Sequence, residues 1–460
     1  MAERVGRRDF LGSLGVTVGA ATLASAVGPM LASGKAEAAE PPKGKIPDKP
    51  LKMGHMTFFT GPAAVLGEPS YKGHLLAAEE INAQGGFLGK RKIETITADE
   101  AAGTDANVKE LRRMKLSAEI DFFTGVISSG NTPALGPVAE ELQLPTIFTD
   151  GCTDFLFDKA VPNPQYIFRI TNIQSADGVT CAVAVATSWP EVRKIAHIHP
   201  DYSYGRNAFD HFTIATSKLL PDTEVVSEGW PKLGTTDFTA HITKAISAKP
   251  DLLVSSVWGG DYVALYKQAL GYGLFEKMKF ASMIAFGVAP HAIGKDHPEG
   301  IIGGVHSNYY FNYPPANRWP LNTVFVKKYF DRWKEFPNFQ SEGAYTALYL
   351  LKAAIERANK LAGGWPDDEA IISQLEGLGM DTPSGYLYMR PDHQAYKDAV
   401  IGFSKNLPQY EFASWDPNRI ITIPIRNITA PLGWPKPGTT HNESTAAANW
   451  VKTTWPKATG

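Results

Sequence analysis

Cysteine is scarce in this chain: Cys152 and Cys181 are its whole complement. A disulfide framework is therefore excluded, and two small buried thiols, unpaired, are the expectation. An excess of either charge is missing as well. Forty-five Lys and Arg stand against 47 Asp and Glu, with no basic run. That balance argues against nucleic acid or anionic lipid as a partner. Beyond the N-terminus, no stretch approaches the ~18 consecutive apolar residues of a membrane helix. Catalytic signatures are absent too: there is no G-x-x-x-x-G-K-[ST] loop, G-x-G-x-x-G turn, G-x-S-x-G elbow or H-E-x-x-H pair. His197 and His199 would point the same way from a strand, but a metal needs further ligands, and a partly buried strand end explains both. No metal and no cofactor are expected, and binding is favoured over catalysis.

What is present begins at the N-terminus. Arg7-Arg8-Asp9-Phe10-Leu11 is a twin-arginine pattern, and an uncharged run from Leu11 to Gly34 follows it. Lys35 closes the run, and Ala36-Glu37-Ala38 supplies a small-x-small cleavage pattern. Together these predict a signal peptide over residues 1–38, cleaved near Ala38 after twin-arginine export to the periplasm. Residues 39–50, rich in Pro and Lys, read as a disordered leader. The remainder is too long for one ordinary core and suggests two lobes.

From Leu51 short strands and helices alternate. Strands are expected over 53–59, 93–98, 122–127 and 146–149, with helices over 67–83, 105–117 and 134–142. Alternation of this kind makes a parallel sheet covered on both faces. The pattern restarts near Asp177, with helices over 177–188, 204–219, 238–248 and 261–270. Strands over 194–199, 224–230, 252–257 and 279–284 separate them. The fold class is α/β, with two doubly wound parallel-sheet lobes. Past residue 301 the rhythm loosens, with an extended stretch over 300–305 and helices over 321–335, 341–362 and 368–376. Residues 431–460 read as a peripheral tail.

Ser128-Ser129-Gly130-Asn131-Thr132-Pro133 follows a strand and opens a helix. Open α/β sheets place ligands at the carboxyl ends of such strands. Free N–H groups at a helix start, beside serine hydroxyls, suit a carboxylate or another acceptor-rich group. An ordinary N-cap accounts for the same residues. The loop Thr149–Asp154 ends the next strand and should bring Asp150, Cys152 and Thr153 to the same cleft. In the second run the matching loop ends are Pro200–Tyr204 and Trp258–Tyr262. Their rings can cover an apolar ligand body or pack in the core.

Six stretches recur in a recognisable order over residues 51–425. They are Thr60-Gly61-Pro62-Ala63-Ala64, Glu80-Ile81-Asn82-Ala83-Gln84-Gly85-Gly86, and Gly125 through Pro137-Val138-Ala139-Glu140. Pro145-Thr146-Ile147, Asp201-Tyr202-Ser203-Tyr204-Gly205 and Arg390-Pro391-Asp392-His393-Gln394 complete the set. In this order and spacing the chain resembles the type I periplasmic binding proteins, in particular the leucine/isoleucine/valine-binding branch. The resemblance implies two lobes joined by three crossing segments, near 170–175, 300–304 and 381–385. Lobe one would hold 51–171 plus 302–380, and lobe two 172–301 plus 381–430. It further implies a monomeric receptor, not an enzyme, that closes on a small solute and delivers it to an ABC permease. Carried over by position, the carboxylate-binding serine falls on Ser128 or Ser129. The next loop's contact falls on Cys152 or Thr153, with backbone near Asp150 and Gly151, and Tyr204 matches a lobe-two tyrosine.

Two positions depart from the amino-acid-binding pattern. Phe286 stands where leucine-type proteins carry a glutamate for the α-ammonium. Asp261, in Trp258-Gly259-Gly260-Asp261-Tyr262, stands where they carry a tyrosine. Asp261 can take the ammonium from another direction or cap the following helix. Amino acids, amides and aliphatic or aromatic carboxylates are all expected ligand classes. The same clamp also serves ligand-sensing subunits of signalling receptors. An exported enzyme is the remaining alternative, and the missing cofactor signatures count against it.

Overall fold

The computed structural model describes residues 44–287, 289–306, 309–312, 319–435 and 441–455. The twin-arginine stretch, the cleavage site near Ala38 and the leader up to residue 43 lie outside the described residues. In the first run, β1 (Leu51–Thr57), α1 (Ala64–Ala83), β2 (Ile93–Asp99), α2 (Thr104–Leu116), β3 (Phe122–Gly125), α3 (Thr132–Glu141), β4 (Thr146–Phe148) and β5 (Ile167–Arg169) follow one another. The strands make one sheet in the order β2-β1-β3-β4-β5, parallel throughout. β3 and β4 bury every residue, as strands covered on both faces do. β2 lies at the edge and buries Ile93 and Ala98 while exposing Glu94 and Thr97.

The second run gives α4 (Gln174–Ser188), β6 (Lys194–Ile198), α5 (Ser203–Leu219), β7 (Glu224–Gly229), α6 (Thr239–Ser247), β8 (Leu252–Ser255), α7 (Gly259–Gly271), β9 (Lys279–Ser282) and β10 (Ile302–Gly304). Its strands run parallel in the order β10-β9-β8-β6-β7, so 302–304 belong to the second lobe and the second crossing lies later than the expected 300–304.

The chain then returns to the first lobe through α8 (Pro320–Trp333), α9 (Phe339–Ala362) and α10 (Asp368–Leu375). Leu348, Leu351 and Ile355 of α9 share a core with Leu51, Ile81 and Phe87. The α1–α9 contact is close enough that a Cβ on Gly73 would lie 2.0 Å from the Ser341 carbonyl oxygen. Glycine is required there because no side chain fits between the two backbones.

Three short strands, β11 (Gly379–Thr382), β12 (Gly385–Met389) and β13 (Ala395–Tyr396), form a separate antiparallel sheet. Leu387, Met389 and Ala395 pack in the first lobe's core. The third crossing therefore falls at 396–399, later than the expected 381–385. β14 (Ala399–Asn406) and β15 (Ala413–Ile423) then extend the second sheet as antiparallel strands beside β10. The tail is not peripheral. Its helix α11 (Ala446–Thr453) brings Trp450 and Val451 into the second lobe's core, followed by Trp455. Thr445 Oγ1 stands 2.7 Å from His211 Nε2 on α5, and Trp455 Nε1 donates to the Asn427 carbonyl at 2.8 Å.

Candidate functional site

Loops at the carboxyl ends of parallel strands in both sheets meet at one narrow interlobe cavity of about 20 Å³, room for little more than a water molecule in this shut form. Ile127 and Ser129 reach it after β3, and Asp150 after β4. From the second lobe come Tyr202 and Tyr204 after β6, Trp258 after β8, Ile284 after β9 and His306 after β10. Leu66 of α1 and Phe339 of α9 complete the wall. The lobes are shut on each other. Ser203 Oγ donates to the Ser129 carbonyl at 3.3 Å, and Gly260 N–H to the Pro62 carbonyl at 3.2 Å.

Glu100, just past β2, is buried behind the β3 loop. Its carboxylate accepts from the Ile127 N–H, the Ser128 N–H and Asn131 Nδ2, each at 2.8 Å. Burial pushes Glu100 up to about 7 in spite of those three donors. Two N–H groups that could have faced a bound anion are thus already satisfied. The Ser129 hydroxyl keeps only a long contact, 3.9 Å, to Cys152 Sγ. Asp150 accepts from Gln340 Nε2. Burial lifts Asp150 to about 6, against the pull of the nearby His306. Burial would lower His306, but the Asp177 carboxylate at 2.5 Å and Cys152 together outweigh it and hold the imidazole well above its ordinary range. Trp258 Nε1 donates to the Tyr202 hydroxyl at 3.0 Å, fixing two rings of the wall. The cavity is mostly apolar, with Ser129, Asp150, His306 and the Tyr204 hydroxyl as polar points. The chemistry of this wall, rather than its present volume, suits a small solute with an apolar body and one polar end, for which the lobes would have to part slightly.

Residues 50–404 match the family model described as periplasmic binding protein. The chain belongs to the periplasmic binding protein family. That family binds solutes and is not enzymatic, and its members work outside the cytoplasm. Among curated relatives, Leu/Ile/Val-binding protein homolog 8 of Brucella melitensis is 24% identical over 387 residues, covering 81% of this chain and 90% of the relative. Among solved structures, a solute-binding protein of an ABC transporter from Rhodopseudomonas palustris, in complex with 3,4-dihydroxybenzoic acid, superposes with a TM-score of 0.70. It is 20% identical and covers 82% of this chain and 98% of that one. A leucine-binding protein from Thermotoga maritima gives a TM-score of 0.69 at 20% identity, covering 82% and 99%. At these identities the structures establish the shared fold.

Within this periplasmic binding protein fold, the residues singled out from sequence are distributed unevenly. Ser129, Asp150, Tyr204 and Trp258 line the cavity, and Cys152 lies just behind Ser129. Ser128 faces the turn: its N–H goes to Glu100 and its Oγ accepts from the Gly130 N–H at 3.2 Å. Thr153 Oγ1 donates across the lobes to Asn207 Oδ1 at 3.1 Å. Asp261 accepts from the Gly234 N–H at 2.7 Å and borders a different cavity, so it pins a loop. Phe286 sits in the second lobe's aromatic core among His297, Tyr310 and Trp415. His197 and His199 are a buried hydrogen-bonded pair, 3.0 Å apart, with Ser256 Oγ 2.7 Å beyond. Both thiols are free and buried.

Sequence reasoning passed over Glu100, His306 and Phe339. His306 directly follows the extended stretch expected over 300–305, so the strand-end rule that singled out Asp150 could have found it.

Proposed function

We propose that this periplasmic binding protein is the receptor of an ABC importer, exported by the twin-arginine route. It holds a small amino-acid-like, amide or carboxylate solute in the interlobe cavity. One observation carries this reading: strand-end loops from both sheets converge on an interlobe cavity walled by residues of both lobes. A ligand touching both lobes favours the shut form by its differential affinity for it. Trp258, Phe339 and Tyr204 supply flat apolar surface, which fits a planar or branched apolar body. Two kinds of relative support the chemistry: one crystallised with 3,4-dihydroxybenzoic acid and one described as an amino acid ABC transporter substrate-binding protein, from Pseudomonas fluorescens. With Asp261 and Phe286 both away from the cavity, Asp150 is the wall carboxylate that can accept from an ammonium or amide.

A thermal-shift screen of the purified chain against amino acids, amides, and aliphatic and aromatic carboxylates tests this reading. At ~100 times Kd a true ligand adds about 2.7 kcal/mol of stability. At least one of these classes should raise the melting temperature by several degrees. No shift with any class at millimolar concentration removes the reading.

A further inference from the structure

Asp150, Cys152, His306 and Asp177 form a buried cluster whose polar chemistry exceeds what holding the loops together requires. One carboxylate oxygen, the Cys152 Sγ and one imidazole nitrogen all lie within 4.8 Å of each other. The His306 Nε2 to Cys152 Sγ distance is 3.8 Å. Around a tetrahedral ion with ordinary Zn–N and Zn–S bonds, ligand atoms stand roughly 3.3–3.7 Å apart. Small side-chain movements would bring this set to that spacing.

We propose that Asp150, Cys152 and His306 bind a divalent first-row transition ion of the Zn²⁺ class at the floor of the interlobe cavity. The donor set is a thiolate, an imidazole and a carboxylate, a combination suited to such an ion rather than to Ca²⁺ or Mg²⁺. Asp177 plays the supporting part. Its carboxylate sits 2.5 Å from His306 Nδ1, while Cys152 Sγ lies 4.0 Å from Nδ1 and 3.8 Å from Nε2, so a proton held on Nδ1 would leave Nε2 for the ion. A carboxylate behind a ligating imidazole is how metal-binding histidines are oriented.

A second observation points to a ligand at this spot independently of the donor set. Tyr204 is 2% exposed and lines the same cavity, and its ring meets His306 edge-on at a centroid distance of 5.4 Å. Its hydroxyl has no hydrogen-bond partner among the described residues. Buried hydroxyls are rarely left that way, and a ligand atom on the ion would satisfy it. Two donors come from the first lobe's β4 loop and His306 from the loop after β10, with Asp177 on α4 of the second lobe. Binding would tie the lobes together and release the Cys152 thiol proton and the proton on His306 Nε2. The fourth position faces Ser129 and the cavity, where a solute oxygen or nitrogen would bind. This last point rests on reading the cavity as the solute site.

The test is titration of the chelator-treated, purified chain with Co²⁺ and then Zn²⁺. Expected are one Co²⁺ per chain, visible bands of a four-coordinate ion, and a near-ultraviolet thiolate-to-cobalt band, all displaced by Zn²⁺. Cys152→Ser should remove the thiolate band and His306→Gln should weaken binding at least tenfold. Asp177→Asn should weaken it 10–100-fold, the usual effect of losing such a supporting carboxylate. Far-UV circular dichroism checks each fold. Should His306→Gln not fold, the near-isosteric Cys152→Ser decides alone. Substoichiometric Co²⁺, or a spectrum unchanged in Cys152→Ser, overturns the site. The solute screen run with chelator present keeps the readings separate: a solute shift without metal binding overturns only the ion site, and metal binding without any solute shift overturns only the solute reading.

Discussion

Replacing Lys397 with Met is expected to destabilise the chain by about 3–5 kcal/mol, the cost of stranding one partner of a buried ion pair. The Lys397 side chain is 1% exposed and Glu342 is fully buried. Lys397 Nζ donates to Glu342 Oε2 at 3.1 Å and to Ser384 Oγ at 2.9 Å. Thr346 and Ser384 hydroxyls donate to the other Glu342 oxygen, at 2.6 and 3.0 Å. Lys397 lies in the third crossing, and its backbone N–H also donates to Asn172 Oδ1 in the first, at 3.1 Å. The pair therefore anchors the hinge region to α9. Urea unfolding measures the loss. The double variant Lys397→Met/Glu342→Leu should recover most of it, because no lone buried charge remains. A single-variant loss under about 1 kcal/mol would show that the pair does not hold the hinge.

Arg169→Ala is expected to cost a similar amount and to weaken solute binding with it. Arg169 is fully buried at the end of β5. Its Nη1 donates to the carbonyls of Gly151 at 2.9 Å and Thr153 at 2.7 Å, and its Nε to Gln394 Oε1 at 2.8 Å. One guanidinium thus fixes the loop that carries Asp150 and Cys152 and ties it to the chain between β12 and β13. Burial already pushes Asp154 up to about 6 and Asp158 to about 7, with Arg169 pulling both the other way. Removing the cation takes a donor from each carbonyl, leaving Gly151 only Thr132 Oγ1 at 2.8 Å and Thr153 only the Leu156 N–H at 3.4 Å. It also leaves Gln394 Oε1 without its donor and those carboxyls without their counter-charge, at roughly 1–3 kcal/mol per stranded group. Arg169→Lys should recover only part, since an ammonium cannot reproduce the planar fork. Denaturant unfolding and solute titration of both variants measure this. A stable Arg169→Ala chain with unchanged affinity would show that the loop is held by other contacts.

The two lobes were legible because each strand–helix pair announces itself over a few residues. Lys194–Ile198 and Leu252–Ser255 are short apolar runs between amphipathic helices, and a buried parallel strand needs no more than that. The strand-end rule also singled out Ser129, Asp150, Tyr204 and Trp258, because loop position relative to a parallel sheet follows from chain order. What escaped depends on distant partners. Glu100 earns its role from N–H groups 27 and 28 residues later, and no local pattern marks a carboxylate that will be buried. The placement of Phe286 failed to point at the cavity because the backbone after β9 is irregular, and its ring turns instead to Trp415 on the antiparallel β15. The tail looked peripheral because its Pro- and Thr-rich lead-in hides the apolar face of Ala446–Thr453.

The solute reading is tested most directly by titrating the best ligand from the screen into the wild-type chain and into Trp258→Ala. Trp258 lines the cavity from the second lobe, donates to Tyr202 and lies outside both sheets, at the start of α7. Loss of a central aromatic wall residue should weaken binding by about 2 kcal/mol or more, roughly thirtyfold, with the fold intact. Equal affinity in the two proteins would contradict the assignment of this cavity as the place where the solute binds.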